Sequence, residues 1–192
     1  MDRQLATIVD DLESARTRLR ALRDALPEAA WDYRADPGGW SAAQCVAHLN
    51  LTSAALLPLV REGLDEARTL RDSTRARYRR NLLGWVIWKL VAPSSRLKTA
   101  TLPAFLPSVT PPVERLLIEF DRHQADVIAC VTEAEGLPID RVTLVSPFHG
   151  RLKYNLYAAL TLVPVHQHRH LVQAERAATA CIPTAAACSV AT

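Results

Sequence analysis

Apolar residues recur every three or four positions through the first part of the chain, and this spacing constrains the fold more than any other feature of the sequence. Between residues 2 and 25, Asp, Glu and Arg separate the apolar positions, so a helix here would have one apolar and one charged side. The apolar positions are Leu5, Ile8, Val9, Leu12, Ala15, Leu19, Leu22 and Leu26. We therefore predict an amphipathic helix over residues 2–25.

A second helix is predicted from Ser41 to about Arg68. Ser41 and Gln44 have the spacing of a capping box, in which each side chain satisfies a backbone N–H of the other residue. Pro27 and the residues 36–39 separate this helix from the first, since Pro and Gly terminate helices. Pro58 is expected to kink or divide the helix, because its ring removes one backbone hydrogen bond.

The remaining helices are predicted from similar patterns. Residues 71–110 are irregular, with one short helix near 78–90 followed by a Pro-rich loop. A third long helix is predicted from Val113 to Glu135, with Gly136 at the position of a C-cap glycine. A fourth is predicted from about Leu152 to Ala178.

These elements predict an all-α fold. Residues 141–145 are the only strand candidate, and the sequence shows no partner strand for them. The short link after the first helix favours antiparallel neighbours, whereas the long crossover at 71–110 permits the third long helix to run parallel to the second. We expect a four-helix bundle of up-down-down-up topology over residues 1–180, with a short extra helix in the crossover and a disordered tail at 181–192.

Composition and charge limit the classes of function. The 192 residues suit one domain, and the net charge of +3 is too small to indicate nucleic-acid binding by itself. The N-terminus lacks the apolar core of a signal peptide, and no stretch approaches the ~20 apolar residues that span a bilayer. We expect a cytoplasmic protein. The cysteines lack Cys-x-x-Cys spacing, so neither a disulfide framework nor a zinc ribbon is predicted, and Cys181 and Cys188 are expected to be exposed thiols.

Three histidines form a candidate metal site. His166 and His170 are four residues apart in the predicted last helix, so both rings lie on one face of it. His48, in the predicted second helix, supplies a third nitrogen if the two helices face each other in a bundle. Three imidazole ligands leave one position open on a tetrahedral metal, which is typical of a catalytic site.

Other histidines and cysteines are excluded from this site. His168 is expected to face solvent, because two residues along a helix correspond to a rotation of about 200°. His123 and His149 have no spacing relation to the three ligands and are interpreted as surface or supporting residues. Cys45, one turn before His48, is an improbable fourth ligand. Gln167 replaces the Glu of the zinc-protease pattern, which argues against a metalloprotease.

Two segments carry a family resemblance. The stretch Trp40-Ser41-Ala42-Ala43-Gln44-Cys45-Val46-Ala47-His48-Leu49 resembles the Trp-Ser-x-x-Glu-hydrophobic-hydrophobic-x-His-Leu segment of the DinB-like (YfiT-like) metalloenzymes. The stretch from Pro164 to Arg176 resembles that family's last helix, where a His-x-x-x-His pair supplies two of three metal ligands. The resemblance implies an up-down-down-up four-helix bundle that holds one divalent metal through His48, His166 and His170. Gln44 departs from the pattern, which has Glu there.

The resemblance leaves several activities open. Characterised members of the family include thiol-dependent S-transferases and a mycothiol-dependent isomerase. We therefore expect a metal-dependent enzyme acting on a small molecule, with a low-molecular-weight thiol as cosubstrate. A metal-dependent hydrolase is the alternative within the enzyme class, and a non-catalytic metal-binding or interaction bundle is the alternative outside it. Zn, Ni and Fe all accept imidazole ligands.

A basic segment with two tryptophans occupies residues 75–90. Its tryptophans are expected to cap the bundle or to form a homodimer face, while its arginines are solvated. A basic helix with interfacial tryptophans can also lie on an anionic membrane, and contact with such a membrane or with a nucleic acid is the competing hypothesis.

Overall fold

Helices account for most of the structure, a computed structural model that describes residues 1–36, 38–70, 77–95, 101–107 and 110–187. The described residues form five α-helices and one two-stranded sheet. The helices are α1 (Arg3–Ala25), α2 (Ala42–Thr69), α3 (Leu82–Val91), α4 (Val113–Glu133) and α5 (Leu156–Ala187), and the strands are β1 (Thr143–Val145) and β2 (Lys153–Asn155). Short 3₁₀ helices occupy Glu28–Ala30 and Pro103–Phe105.

The predicted helix ends are largely confirmed by their caps. The Ser41 side chain accepts a hydrogen bond from the Gln44 backbone, and the Gln44 side chain accepts one from the Ser41 N–H, which is the predicted capping box. The helix α4 ends at Glu133 with Ala134 as its C-cap, two residues earlier than predicted, so Gly136 is not the cap residue, although its φ of +75° is a left-handed conformation that favours glycine. Pro58 lies inside α2 and does not divide it.

A small antiparallel sheet corrects the all-α prediction. Leu144 of β1 pairs with Tyr154 of β2, so the strand candidate at 141–145 has a partner at the position where the last helix was predicted to begin. The Asn155 side chain accepts a hydrogen bond from the Ala158 N–H at the start of α5, which begins at Leu156, four residues later than predicted.

The end of α5 also differs from the prediction. The helix continues past Ala178 to Ala187, so residues 181–187 are helical where a disordered tail was predicted. Residues 188–192, including Cys188, and the side chain of Cys181 lie outside the described residues.

Contacts between the long helices fix their relative directions. Where paired residue numbers rise together along two helices, the helices are parallel, and where one rises as the other falls they are antiparallel. By this criterion α1 is parallel to α5, α2 is parallel to α4, and α1 is antiparallel to α4. The contacts between α1 and α5 are Gln4 with Tyr157 and Arg18 with Glu175. Those between α2 and α4 are Arg61 with Asp126 and Arg68 with Glu133. Those between α1 and α4 are Leu12 with Gln124 and Arg23 with Glu114.

Two apolar clusters form the core between these helices. One joins α1, α2, α4, α5 and the sheet, and the other joins α1, the start of α2, α4 and the later part of α5 around the fully buried Trp31. The helix α2 contributes to both clusters, and most of its apolar residues are therefore buried.

The length and composition of α2 would allow it to cross a membrane, contrary to the expectation from sequence. Most of that apolar stretch is buried inside the protein, which is also what the central helix of a packed core shows.

Candidate metal centre

The structure brings together the three histidines that the sequence singled out. His48 projects from α2 two turns after the Ser41 cap, and His166 and His170 project from one face of α5. Nε2 of His166 lies 3.3 Å from Nε2 of His48 and 3.1 Å from Nε2 of His170. The ligand atoms of all three residues lie within 4.8 Å of one another, and the group could hold a metal ion.

The Phe105 backbone determines which nitrogen His48 directs at this group. Its carbonyl oxygen lies 2.8 Å from Nδ1 of His48, and a carbonyl can only accept, so Nδ1 carries the proton. Nε2 of the neutral ring is then left with a lone pair. A backbone carbonyl on the far nitrogen is the usual way in which a histidine is oriented toward a metal.

Hydrogen bonds alone do not satisfy this arrangement. Because Nε2 of His48 carries no proton, its contact with Nε2 of His166 is a hydrogen bond only if the His166 nitrogen is protonated. That one proton cannot also serve the contact between His166 and His170 well. Two imidazoles bound to one tetrahedral ion at 2.0–2.1 Å have their nitrogens about 3.3–3.4 Å apart. The two observed spacings are close to this value, so the three residues could hold a metal ion.

Burial keeps the three rings neutral. Together with the neighbouring histidines and Arg169, whose effects are smaller, burial lowers the pKa of His170 to about 2 and that of His166 to about 3. Burial also lowers the pKa of His48, although the hydrogen bond to Phe105 opposes the shift. Neutral imidazole is the form that binds a metal, so the site needs no proton release from these rings near pH 7.

Trp40 forms one wall of the group. Its ring stacks on His170 at a centroid distance of 5.6 Å and meets His48 edge-on at 4.9 Å. It directly precedes the Ser41 cap, so the capping box that starts α2 also places this wall. Trp40 stands in the quoted motif, but the sequence assigned it no role.

The crossover supplies a second contact that sequence reasoning missed. Phe105 lies in the 3₁₀ helix Pro103–Phe105, and its ring packs edge-on against Phe148 at 4.8 Å. Its contribution to His48 is a backbone atom, so no side-chain pattern could have indicated it. The proline at the start of that 3₁₀ helix is the only signal, and it is a weak one.

The excluded residues remain outside the group, although two of them are not where they were expected. His149 is exposed, as predicted. His168 does not simply face solvent, because its two ring nitrogens contact Arg18 and the Asp11 carbonyl of α1 at 2.9 and 3.1 Å. His123 is buried, and its Nδ1 has no hydrogen-bond partner among the described residues.

Cys45 is fully buried in the apolar cluster around Trp31. Burial raises the pKa of its thiol to about 12. The group of residues that could hold a metal ion does not include Cys45, which agrees with its exclusion.

The fold and site define a mostly helical protein with a candidate three-histidine metal centre between α2 and α5. The chain belongs to the DinB superfamily, whose family model matches residues 11–174 and thus includes all three histidines. Neither the curated proteins nor the solved structures gave a significant match.

Proposed function

We propose that this chain is a divalent-metal-dependent enzyme that uses His48, His166 and His170 as ligands and a low-molecular-weight thiol as cosubstrate. The observation that carries the proposal is the convergence of three neutral Nε2 atoms, one of them oriented by the Phe105 carbonyl. A bound divalent metal would supply a Lewis acid that lowers the pKa of a thiol in its open position.

The helix directions support a four-helix bundle as the frame of this site. Parallel α1 and α5, parallel α2 and α4, and antiparallel α1 and α4 correspond to the order up-down-down-up when the short α3 is set aside. In such a bundle α2 and α5 run in opposite directions, and each can direct side chains toward the same interior point.

The residues of the chain position the ligands and limit the access of water. The Phe105 carbonyl holds the His48 tautomer, and Trp40 covers one side of the His48 and His170 rings. His166 is the one member of the group that remains partly accessible to solvent, so a substrate would approach from its side.

Thiol chemistry is favoured over hydrolysis by the composition of the group. Among the described residues, the cluster contains histidines and no Asp, Glu or Cys. Hydrolysis at such a site usually also uses a general base, as the Glu of the zinc-protease pattern does. A thiol needs only to lose its proton to become a strong nucleophile.

Metal analysis followed by a thiol assay tests the proposal. Purified wild type should contain one equivalent of Zn, Ni or Fe, and His48→Ala and His170→Ala should contain almost none. The exposed His149→Ala is the matched control and should retain the metal. Thiol consumption should then depend on the metal when small thiols are offered with an electrophile such as an epoxide or alkyl halide.

Two results would contradict the proposal in different ways. Metal binding without turnover of any thiol or ester would favour the non-catalytic bundle. Turnover that survives in metal-free His170→Ala would exclude the three-histidine site as its origin.

A further inference from the structure

The short helix α3 is apolar on two opposite sides, and one of these is already buried. Ile87, Trp88 and Val91 pack against the core cluster shared by α2 and α5. A Cβ atom on Gly84 would lie 2.4 Å from Cβ of Ala158, so the helix approaches α5 as closely as its backbone allows. The inner side of α3 therefore has its partner within the protein.

Polar contacts hold α3 in this orientation. The Arg80 guanidinium lies 4.6 Å above the Trp88 ring, and its Nε donates to the Thr161 hydroxyl of α5 at 2.8 Å. At the other end of the helix, Arg169 of α5 donates to the Leu90 carbonyl at 3.1 Å. With both ends attached to α5, the helix cannot rotate to bury its other side.

That other side is an apolar stripe open to solvent. Leu82, Trp85, Val86 and Lys89 follow the i, i+3, i+4, i+7 spacing of one helical face. Leu82 is 79% exposed, Trp85 48% and Val86 37%, and the Lys89 ammonium lies 5.7 Å from the Trp85 ring. We call these four residues the outer stripe. The two tryptophans of the segment thus differ, since Trp88 packs against the core cluster and Trp85 is exposed.

The segment of sequence that contains the outer stripe carries charge of one sign. Residues 73–113 contain seven Arg or Lys and no Asp or Glu, although the whole chain has a net charge of only +3, so the rest of the chain is net negative. Arg77 and Arg79, just before α3, are exposed. Neither they nor Lys89 pair with a carboxylate among the described residues.

We propose that the outer stripe docks on an anionic phospholipid surface. A helix in that position places Leu, Trp and Val at the boundary of the acyl chains while the surrounding cations attract the headgroups. A second copy fits less well, because a two-fold interface through this face would bring two segments of the same positive charge together.

Vesicle co-sedimentation tests this assignment. The wild-type protein should bind vesicles of phosphatidylcholine mixed with phosphatidylserine at least about tenfold more strongly than pure phosphatidylcholine vesicles, since each cation near the surface contributes about fivefold. The Trp85 fluorescence should shift to shorter wavelength on binding. High salt should weaken the interaction.

Matched variants separate the stripe from general adhesion. Leu82→Ser with Trp85→Ser should reduce binding at least about tenfold, because the buried apolar area is lost. Ile118→Ser removes an exposed apolar residue of α4, 69% exposed and next to Glu119, and should leave binding unchanged. Both variants should keep the far-UV circular dichroism of the wild type, since none of the three side chains is part of the core.

Three results would overturn the proposal: equal binding to both vesicle types, an equal loss in Ile118→Ser, or a concentration-dependent dimer that the Leu82 and Trp85 substitutions dissociate. The last would assign the outer stripe to a second copy of this chain instead.

Discussion

Two regions along the α1–α5 pair differ in whether their buried polar groups have hydrogen-bond partners. Near the start of these helices, Gln4 bonds to both the backbone of Tyr78 and the Tyr157 hydroxyl, and Asn155 bonds to the carbonyls of Arg79 and Asp140. Farther along α5, three histidine nitrogens face one another with too few protons to satisfy them.

This difference indicates which end is structural and which is functional. A network of satisfied hydrogen bonds stabilises a unique fold, whereas buried acceptors that lack donors lower stability unless something else binds them. Sequences depart from local rules mainly at functional sites. The comparison predicts that substitutions at the two ends affect different measured properties.

The largest effect is expected from His170→Ala. Removing one of three ligands should weaken metal binding by at least about a hundredfold, because loss of a supporting residue alone typically costs 10–100-fold. Competition with a chromogenic chelator measures the affinity. Gln4→Ala, at the other end, should lower the unfolding midpoint and leave the metal affinity intact. Equal loss of metal affinity in His170→Ala and Gln4→Ala would contradict the assignment of a functional role to one region and a structural role to the other.

Asn155→Ala should give the next largest effect, on stability alone. The side chain makes three hydrogen bonds, to two carbonyls and one N–H, and each contributes about 1 kcal/mol. We expect the free energy of unfolding in urea to fall by about 3 kcal/mol while the bound metal stays at one equivalent. A fully folded Asn155→Ala protein that has lost its metal would show that the two ends are coupled.

Acid should destabilise the metal-free protein through the histidine end. The pKa values of His166 and His170 are lowered to about 3 and about 2, so below pH 6.5 the unfolded chain binds protons that the folded chain does not. Stability is therefore complete above pH 6.5 and declines as the pH falls toward 3, by up to about 1.4 kcal/mol per pH unit for each histidine. Urea midpoints between pH 7.5 and 5 measure the slope.

A variant with Gln at positions 48, 166 and 170 is the control for this pH effect. It lacks the three titrating rings, so its urea midpoint should change much less over the same range. An unchanged slope would place the acid sensitivity elsewhere, for example at the buried His123, whose pKa is also lowered by burial.

The smallest effect should come from the helix caps. Ser41→Ala removes the cap of α2. Asp2→Ala removes the cap of α1, because the Asp2 side chain accepts hydrogen bonds from the Gln4 and Leu5 N–H groups. Each should cost about 1 kcal/mol of stability. Only Ser41→Ala should also weaken metal binding, since it loosens the turn that places Trp40 and His48. Equal metal affinities in the two variants would mean that the cap has no influence on the site.

The helical frame and the three histidines could be predicted because their signals are local. Apolar periodicity, the Ser41–Gln44 box and the four-residue spacing of His166 and His170 each follow from the geometry of a single helix. The helix directions needed only loop lengths in addition.

The errors concern features that depend on distant parts of the chain. Lys153, Tyr154 and Asn155 form a strand only because β1 pairs with them, and an isolated three-residue strand leaves no pattern in the sequence. The contact of the Phe105 carbonyl with His48 could not be predicted from side-chain patterns, because it is made by a backbone atom. His168 was predicted to face solvent, but it contacts α1 instead. The predicted homodimer and the cellular location remain predictions.

The hydrogen bond from His48 to Phe105 has a consequence for the order of folding. It spans 57 residues, and the contact between His48 and His166 spans 118. Contacts this distant in sequence form late, after the local helices and nearer partners are in place. The metal would then bind a protein that is already nearly folded, after the folding transition state. Its binding would therefore slow unfolding more than it speeds folding. Refolding and unfolding rates measured with and without metal would show this asymmetry directly.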